Sequence, residues 1–143
     1  MKLRPFLTIL LISFVTGPLV HAEGGNDTPL DKEMKTMNRA FRQLKKQAGD
    51  AAQNASSLAL VAQMEKAAAA SAELTPEKAA DLPEKDRAAF EADFKAKMRN
   101  FSDALGKLEA ALKAGDNAAA AKLVADLGAQ ERAGHKEFRK PQN

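Results

Sequence analysis

The sequence contains no cysteine, no tryptophan and no tyrosine among its 143 residues. Without cysteine the chain has no disulfide, no thiolate zinc site and no thiol nucleophile. Stability must therefore come from the packing of side chains alone. The same absence removes the redox and metal chemistry that depends on thiols.

Side chains that commonly carry catalysis are also scarce. Apart from His21 near the N-terminus, His135 is the only histidine. No serine lies in a glycine-rich nucleophile elbow, and the glycines form no phosphate-binding loop. Glu131 precedes His135 by four residues, whereas a di-iron bundle requires a spacing of three and a second histidine. The sequence therefore predicts a protein that is not an enzyme.

Residues 1–22 have the pattern of a secretory signal peptide. A short basic start is followed by the apolar run "FLTILLISFV" and by "TGPLVHA", which predicts cleavage after Ala22. The apolar run is too short to span a bilayer, so we expect no membrane anchor after cleavage. We expect export to the periplasm of a Gram-negative bacterium and a single mature domain over 23–143.

The charge balance of the mature chain argues against nucleic acid as a partner. Cleavage removes two of the 22 basic side chains and none of the 19 acidic ones. No basic cluster with interleaved aromatic residues remains, as a nucleic-acid groove would require. The mixed surface charge predicts a monomer.

Alanine-rich composition and heptad spacing predict an all-α protein. In the first segment the apolar positions alternate between spacings of four and three: Leu30, Met34, Met37, Phe41, Leu44 and Ala48. A second helix is predicted over 51–73 and a fourth over 117–140. The third carries a stripe of Phe90, Phe94, Phe101, Leu105, Leu108 and Leu112, with Met98 beside it.

Turn signals separate these segments. Asp27, Thr28 and Pro29 predict the first helix start. "AGD" at 48–50 and "KAGDN" at 113–117 predict two tight turns, each with a glycine in the left-handed conformation (Gly49, Gly115) and an aspartate cap. "ELTPEKAADLP" at 73–83 is the longest connection, with a short helical turn after Thr75. Tight turns favour an antiparallel up-down-up-down four-helix bundle.

In this topology Met34, near the start of the first helix, and His135, near the end of the fourth, lie at the same end of the bundle. A thioether opposite an imidazole suits the two axial positions of a haem iron. Each residue also has an ordinary interpretation, Met34 as a core gap-filler and His135 as a hydrogen-bonded core residue. Met37, one turn on, competes with Met34 as a ligand.

Four stretches resemble the cytochrome b-562 family, periplasmic four-helix bundles that hold one haem b without covalent attachment. They are "LDKEMKTMNRAF" at 30–41, "DAAQ" at 50–53, "NFSDALGKLEAALK" at 100–113 and "RAGHKEFR" at 132–139. The resemblance implies Met34 and His135 as axial ligands. It also implies that Phe101 and Phe138 pack near the haem and that Arg139 can pair with a propionate.

The resemblance further implies a one-electron carrier whose partners are transient redox proteins. Relatives with covalent haem carry cysteines four and one residues before the histidine, where this chain has Glu131 and Gly134. A single haem b would therefore be held by ligation and burial only. Two alternatives are a haem-free bundle that binds clients through an apolar groove, as a stress protein or chaperone does, and a haem carrier without redox duty.

Overall fold

In a computed structural model, the structure describes residues 27–141, and the predicted leader lies outside this range. Four α-helices run through it: α1 (Pro29–Gln47), α2 (Asn54–Ser71), α3 (Glu84–Lys113) and α4 (Asn117–Phe138). Two short 3-10 helices, Ala51–Gln53 and Glu77–Asp81, lie before α2 and α3. Consecutive helices are antiparallel neighbours around one core, so the predicted all-α four-helix bundle is confirmed.

The helix starts follow the predicted capping signals. The Thr28 hydroxyl accepts a hydrogen bond from the Asp31 amide (3.1 Å), while the Asp31 carboxylate accepts one from the Thr28 amide (3.0 Å). This reciprocal capping box satisfies amides that have no partner inside the helix. Asp116 caps α4 by a single bond, in which its carboxylate accepts from the Ala119 amide (2.9 Å).

The prediction of a left-handed glycine is confirmed at one turn and wrong at the other. Gly115 has a φ of 73° and ends α3, whereas Gly49 does not take a positive φ. At the first turn the amide of Asp50 donates to the carbonyl of Gln47 (2.9 Å), and the chain then enters the 3-10 helix directly. Because Asp50 redirects the chain in an extended conformation (φ −105°, ψ 112°), no left-handed residue is needed there.

The helices differ in how closely they pack. The sequential pairs pack along much of their length, whereas α1 and α4 approach each other over a short stretch only. At that stretch a Cβ on Gly128 would lie 3.6 Å from the ring of Phe41. Away from it the two helices diverge, and this divergence opens the bundle toward the end where α1 begins and α4 finishes.

The opposite end of the bundle is closed by a pair of side-chain amides. Asn117 donates to the Asn54 side-chain oxygen (2.7 Å) and to the carbonyl of Ala48 (2.9 Å). Asn54 in turn donates to the carbonyl of Leu112 (3.3 Å). The pair thus joins the last residues of α1 and α3 to the first turns of α2 and α4.

Candidate functional site

A cleft of about 960 Å³ occupies the open end of the bundle. Its walls come mainly from the first half of α1, the middle of α3 and the last turns of α4. This volume lies within the usual range for small-molecule sites, about 300–1,000 Å³. All six residues that the sequence predicts for the site line this cleft: Met34, Met37, Phe101, His135, Phe138 and Arg139.

Met34 and His135 are contributed by different walls, α1 and α4, and both are half-buried. Within residues 27–141 the imidazole of His135 makes no hydrogen bond, in contrast to an ordinary core histidine. Its ring nitrogens are therefore not committed to the protein. The structure brings the two residues to one cleft, and their role as ligands stays a prediction.

Met37 and Phe138 form deeper parts of the lining, each only 7% exposed. The Phe138 ring lies against Phe90 and Phe94 of α3, with centroid distances of 5.1 Å and 5.2 Å. Such tilted and edge-to-face pairs add to the hydrophobic gain of burial. Phe138 therefore anchors the last turn of α4 to α3, one turn after His135.

Phe101 is half-buried on the α3 wall, and Arg139 is exposed immediately after the end of α4. Arg139 has an extended backbone (φ −88°, ψ 140°), so the helix ends two residues before the predicted boundary at 140. Its guanidinium belongs to the rim of the cleft rather than to the interior. This location suits recognition of an anionic group at the cleft mouth.

Sequence reasoning did not assign Met64 and Met98 to the site. Both are buried and both line the cleft, as do Phe41 and Phe94. Every methionine in the part of the chain that the structure describes therefore faces the same space. No local pattern carried this signal, because spacing along one helix does not show which residues of the other helices lie at the same height.

The rim of the cleft carries both signs of charge in equal number. The cationic side chains are Lys35, Lys78, Lys97, Lys107, Arg139 and Lys140, and the anionic ones are Asp27, Asp31, Glu77, Asp103, Glu131 and Glu137. Some are already paired, such as Lys35 with Asp27 at 2.6 Å. The interior is lined by thioethers and phenyl rings, so an apolar ligand with a charged edge fits this arrangement.

A family model for cytochrome b562 matches residues 29–139, which is most of the chain. The chain belongs to the cytochrome b562 family. The resemblance found in the sequence is therefore confirmed, and it places the chain in a family of haem-binding electron carriers rather than enzymes. No curated protein and no solved structure gives a significant match.

The residues of the cleft fit the b-type haem that membership of the cytochrome b562 family implies. Among the described residues no three histidine, cysteine or carboxylate side chains cluster as a metal site. A porphyrin supplies four donors itself, so the protein needs to add only two. The cleft offers a thioether and an uncommitted imidazole on separate walls, with apolar side chains between them.

None of the described helices is long and apolar enough to cross a membrane.

Proposed function

We propose that this protein is a periplasmic one-electron carrier that binds one haem b without covalent attachment, with Met34 and His135 as its axial ligands. One observation carries the proposal: the two residues lie on the α1 and α4 walls of a single cleft whose interior includes methionine and phenylalanine side chains and whose rim is charged. Bound haem iron supplies reversible exchange of a single electron.

The side chains of the cleft have separate tasks in this proposal. The Met34 thioether and the His135 imidazole would both bind the haem iron, so that the iron would have no free position for a substrate. Methionine in this role raises the reduction potential relative to two imidazoles. The apolar side chains of Met37, Phe101 and Phe138 exclude water from the site. A low-dielectric environment of this kind also influences the reduction potential.

The edge of the site suits a haem that is held without a covalent bond and partner proteins that bind weakly and reversibly. Arg139 at the rim is suited to pair with a propionate. Glu131 and Gly134 line the cleft where covalent relatives have cysteines, so retention depends on ligation and burial. Balanced charge around the mouth favours a monomer that meets transient redox proteins through a small interface.

Haemin titration tests the proposal. We expect the purified protein to bind one haemin and to give sharp low-spin absorption bands, oxidised and reduced. His135→Ala should abolish this spectrum. Met34→Leu, which removes the sulfur and keeps the volume, should convert the iron to high spin. Met37→Leu is the matched control and should leave the spectrum low-spin.

Two results would contradict the proposal. Failure of the unmodified protein to bind haemin at stoichiometric concentration would leave the haem-free bundle, for which protection of an unfolding client is the positive sign. A spin-state change in Met37→Leu instead of Met34→Leu would show that the ligand lies one turn further along α1.

A further inference from the structure

The connection between α2 and α3, residues 72–83, is joined to the end of α4 by two side-chain contacts. We call this connection the α2–α3 strap. The ammonium of Lys78 in the strap donates to the backbone carbonyl of Glu137. The ammonium of Lys140 pairs with the Asp81 carboxylate at 3.1 Å. One lysine from the strap and one from the end of α4 each contact the other segment, and together they join the short 3-10 helix to the end of α4.

The strap has an internal structure that allows it to act as a support. Ala79 is 2% exposed and Pro76 is buried, so the strap is seated on the bundle. The guanidinium of Arg87, in the first turn of α3, donates to the carbonyls of Leu82 (3.0 Å) and Ala80 (3.1 Å). These bonds fix the residues that lead from the strap into α3. They do not involve Lys78, whose ammonium contacts α4.

Lys78 provides a hydrogen-bond donor to the C-terminus of α4, where backbone carbonyls lack donors within the helix. The last four carbonyls of α4 have no partner within the helix. The carbonyl of His135 is satisfied by the Arg139 amide (3.1 Å), and that of Glu137 is satisfied by Lys78. A positive charge at this place also interacts favourably with the negative end of the helix dipole.

We propose that Lys78 is a positioning residue for His135: it holds the last turn of α4 in helical form so that the imidazole is presented to the cleft before haem arrives. This inference rests on the proposed function in taking His135 as a ligand. Helix termini fray when they are not tied down. If only a fraction of molecules has this turn formed, the apparent affinity falls to that fraction of its full value.

The test compares Lys78→Met with Lys66→Met. Both changes remove an ammonium from a side chain of similar length. Lys66 is exposed on α2 and makes no ion pair or hydrogen bond within the described range. Hydrogen exchange of the amides of 136–139 measures the order of the last turn without any haem. In Lys78→Met these amides should exchange about fivefold faster, as expected for loss of one exposed charge-assisted hydrogen bond.

Haemin titration supplies the second readout. We expect the Kd of Lys78→Met for haemin to rise, at most by about this fivefold factor, because affinity follows the fraction of molecules with the turn formed. Lys66→Met should match the unmodified protein in both measurements. Asp81→Asn weakens the other contact of the strap and should give a smaller change of the same sign. Circular dichroism at 222 nm checks that all variants remain folded.

The outcomes separate this inference from the proposed function. Unchanged amide exchange and unchanged affinity in Lys78→Met would overturn it while His135-dependent haem binding stands. Lower affinity with unchanged exchange would also overturn it, because it would show direct contact of the lysine with the ligand. If no variant binds haemin but the exchange difference is present, the proposed function fails and the strap remains a structural support.

Discussion

Replacement of Asn117 by alanine is a direct test of how the closed end of the bundle is held. The Asn117 amide nitrogen donates to the carbonyl of Ala48 (2.9 Å) and to the side-chain oxygen of Asn54 (2.7 Å). Its own oxygen accepts a longer bond from the Asn54 amide (3.3 Å). Asn117→Ala removes all three bonds and leaves the half-buried Asn54 side chain with only its bond to the Leu112 carbonyl.

The expected loss follows from these bonds. Each of the two short bonds contributes about 1 kcal/mol net, and the longer one contributes less. Asn117 is only half-buried at the first position of α4, so water can replace part of the lost bonding and offset roughly 0.5 kcal/mol of the loss. Asn117→Ala should therefore lower the free energy of unfolding by about 1.5 kcal/mol. With a urea dependence of about 1–3 kcal/mol per molar, the midpoint should fall by roughly 1 M.

Urea unfolding followed by circular dichroism measures this loss, and a double-mutant cycle with Asn54→Ala tests its cause. Because the two residues share bonds, the double variant should cost at least about 0.5 kcal/mol less than the sum of the single variants. Gln63→Ala, on the exposed face of α2, is a control that should change little. Full additivity, or an unchanged midpoint in Asn117→Ala, would refute the reasoning. Neither residue lines the cleft, so haemin spectra should be unaffected.

Four further predictions each concern a single substitution. Gly106→Ala should stabilise α3 by about 1 kcal/mol, because a Cβ at this position would meet nothing within 4 Å. Gly115→Ala should lower the free energy of unfolding by about 1–2 kcal/mol, because Gly115 has a φ of 73°. Urea midpoints measure both changes. Ser71→Ala should raise the free energy of unfolding by about 1 kcal/mol in the same assay, because the buried Ser71 hydroxyl has no hydrogen-bond partner. The hydrogen bond from Lys95 lowers the pKa of Glu73, so NMR titration of Lys95→Met should show a higher pKa for that carboxyl. The small stabilisation from this pair is present above the unfolded pKa and is lost as pH falls through the lower folded pKa.

The first helix shows how much a periodic pattern predicts. Its apolar heptad seam from Leu30 to Ala48 is buried or packed against the core throughout. Its start at Pro29 follows from the Thr28 cap. Both features depend on neighbours within a few residues, and such local signals are present in a single sequence. The end of α3 at Gly115 was predictable for the same reason.

Other features depend on residues that are distant in sequence. Spacing identifies the inward face of a helix but not which residues on other helices lie at the same height, so Met64 and Met98 were not assigned to the site. The prediction for Gly49 was wrong because the turn is made by an extended Asp50, which leads directly into the 3-10 helix. The contact between Lys78 and Glu137 joins residues 59 positions apart through a long flexible side chain. No local pattern marks such a contact.

The core itself is divided between the two ends of the bundle. The largest fully buried side chains include five leucines, Leu44, Leu105, Leu108, Leu112 and Leu127, and they lie toward the end closed by the asparagine pair. Of the leucines that the structure describes, only Leu30 lines the cleft, where methionine and phenylalanine take over.

This division explains how a helical bundle without disulfides can keep one end open. Leucines in well-defined rotamers supply most of the packing energy at the closed end, where removal of one costs about 2–5 kcal/mol. Methionine is flexible and polarisable, so the side chains at the open end can adapt to a flat apolar ligand. The open end therefore does not need a rigid cavity when the ligand is absent. Substitutions at the closed end should therefore change the free energy of unfolding and leave the haemin spectrum intact, whereas substitutions at the open end should change the spectrum first.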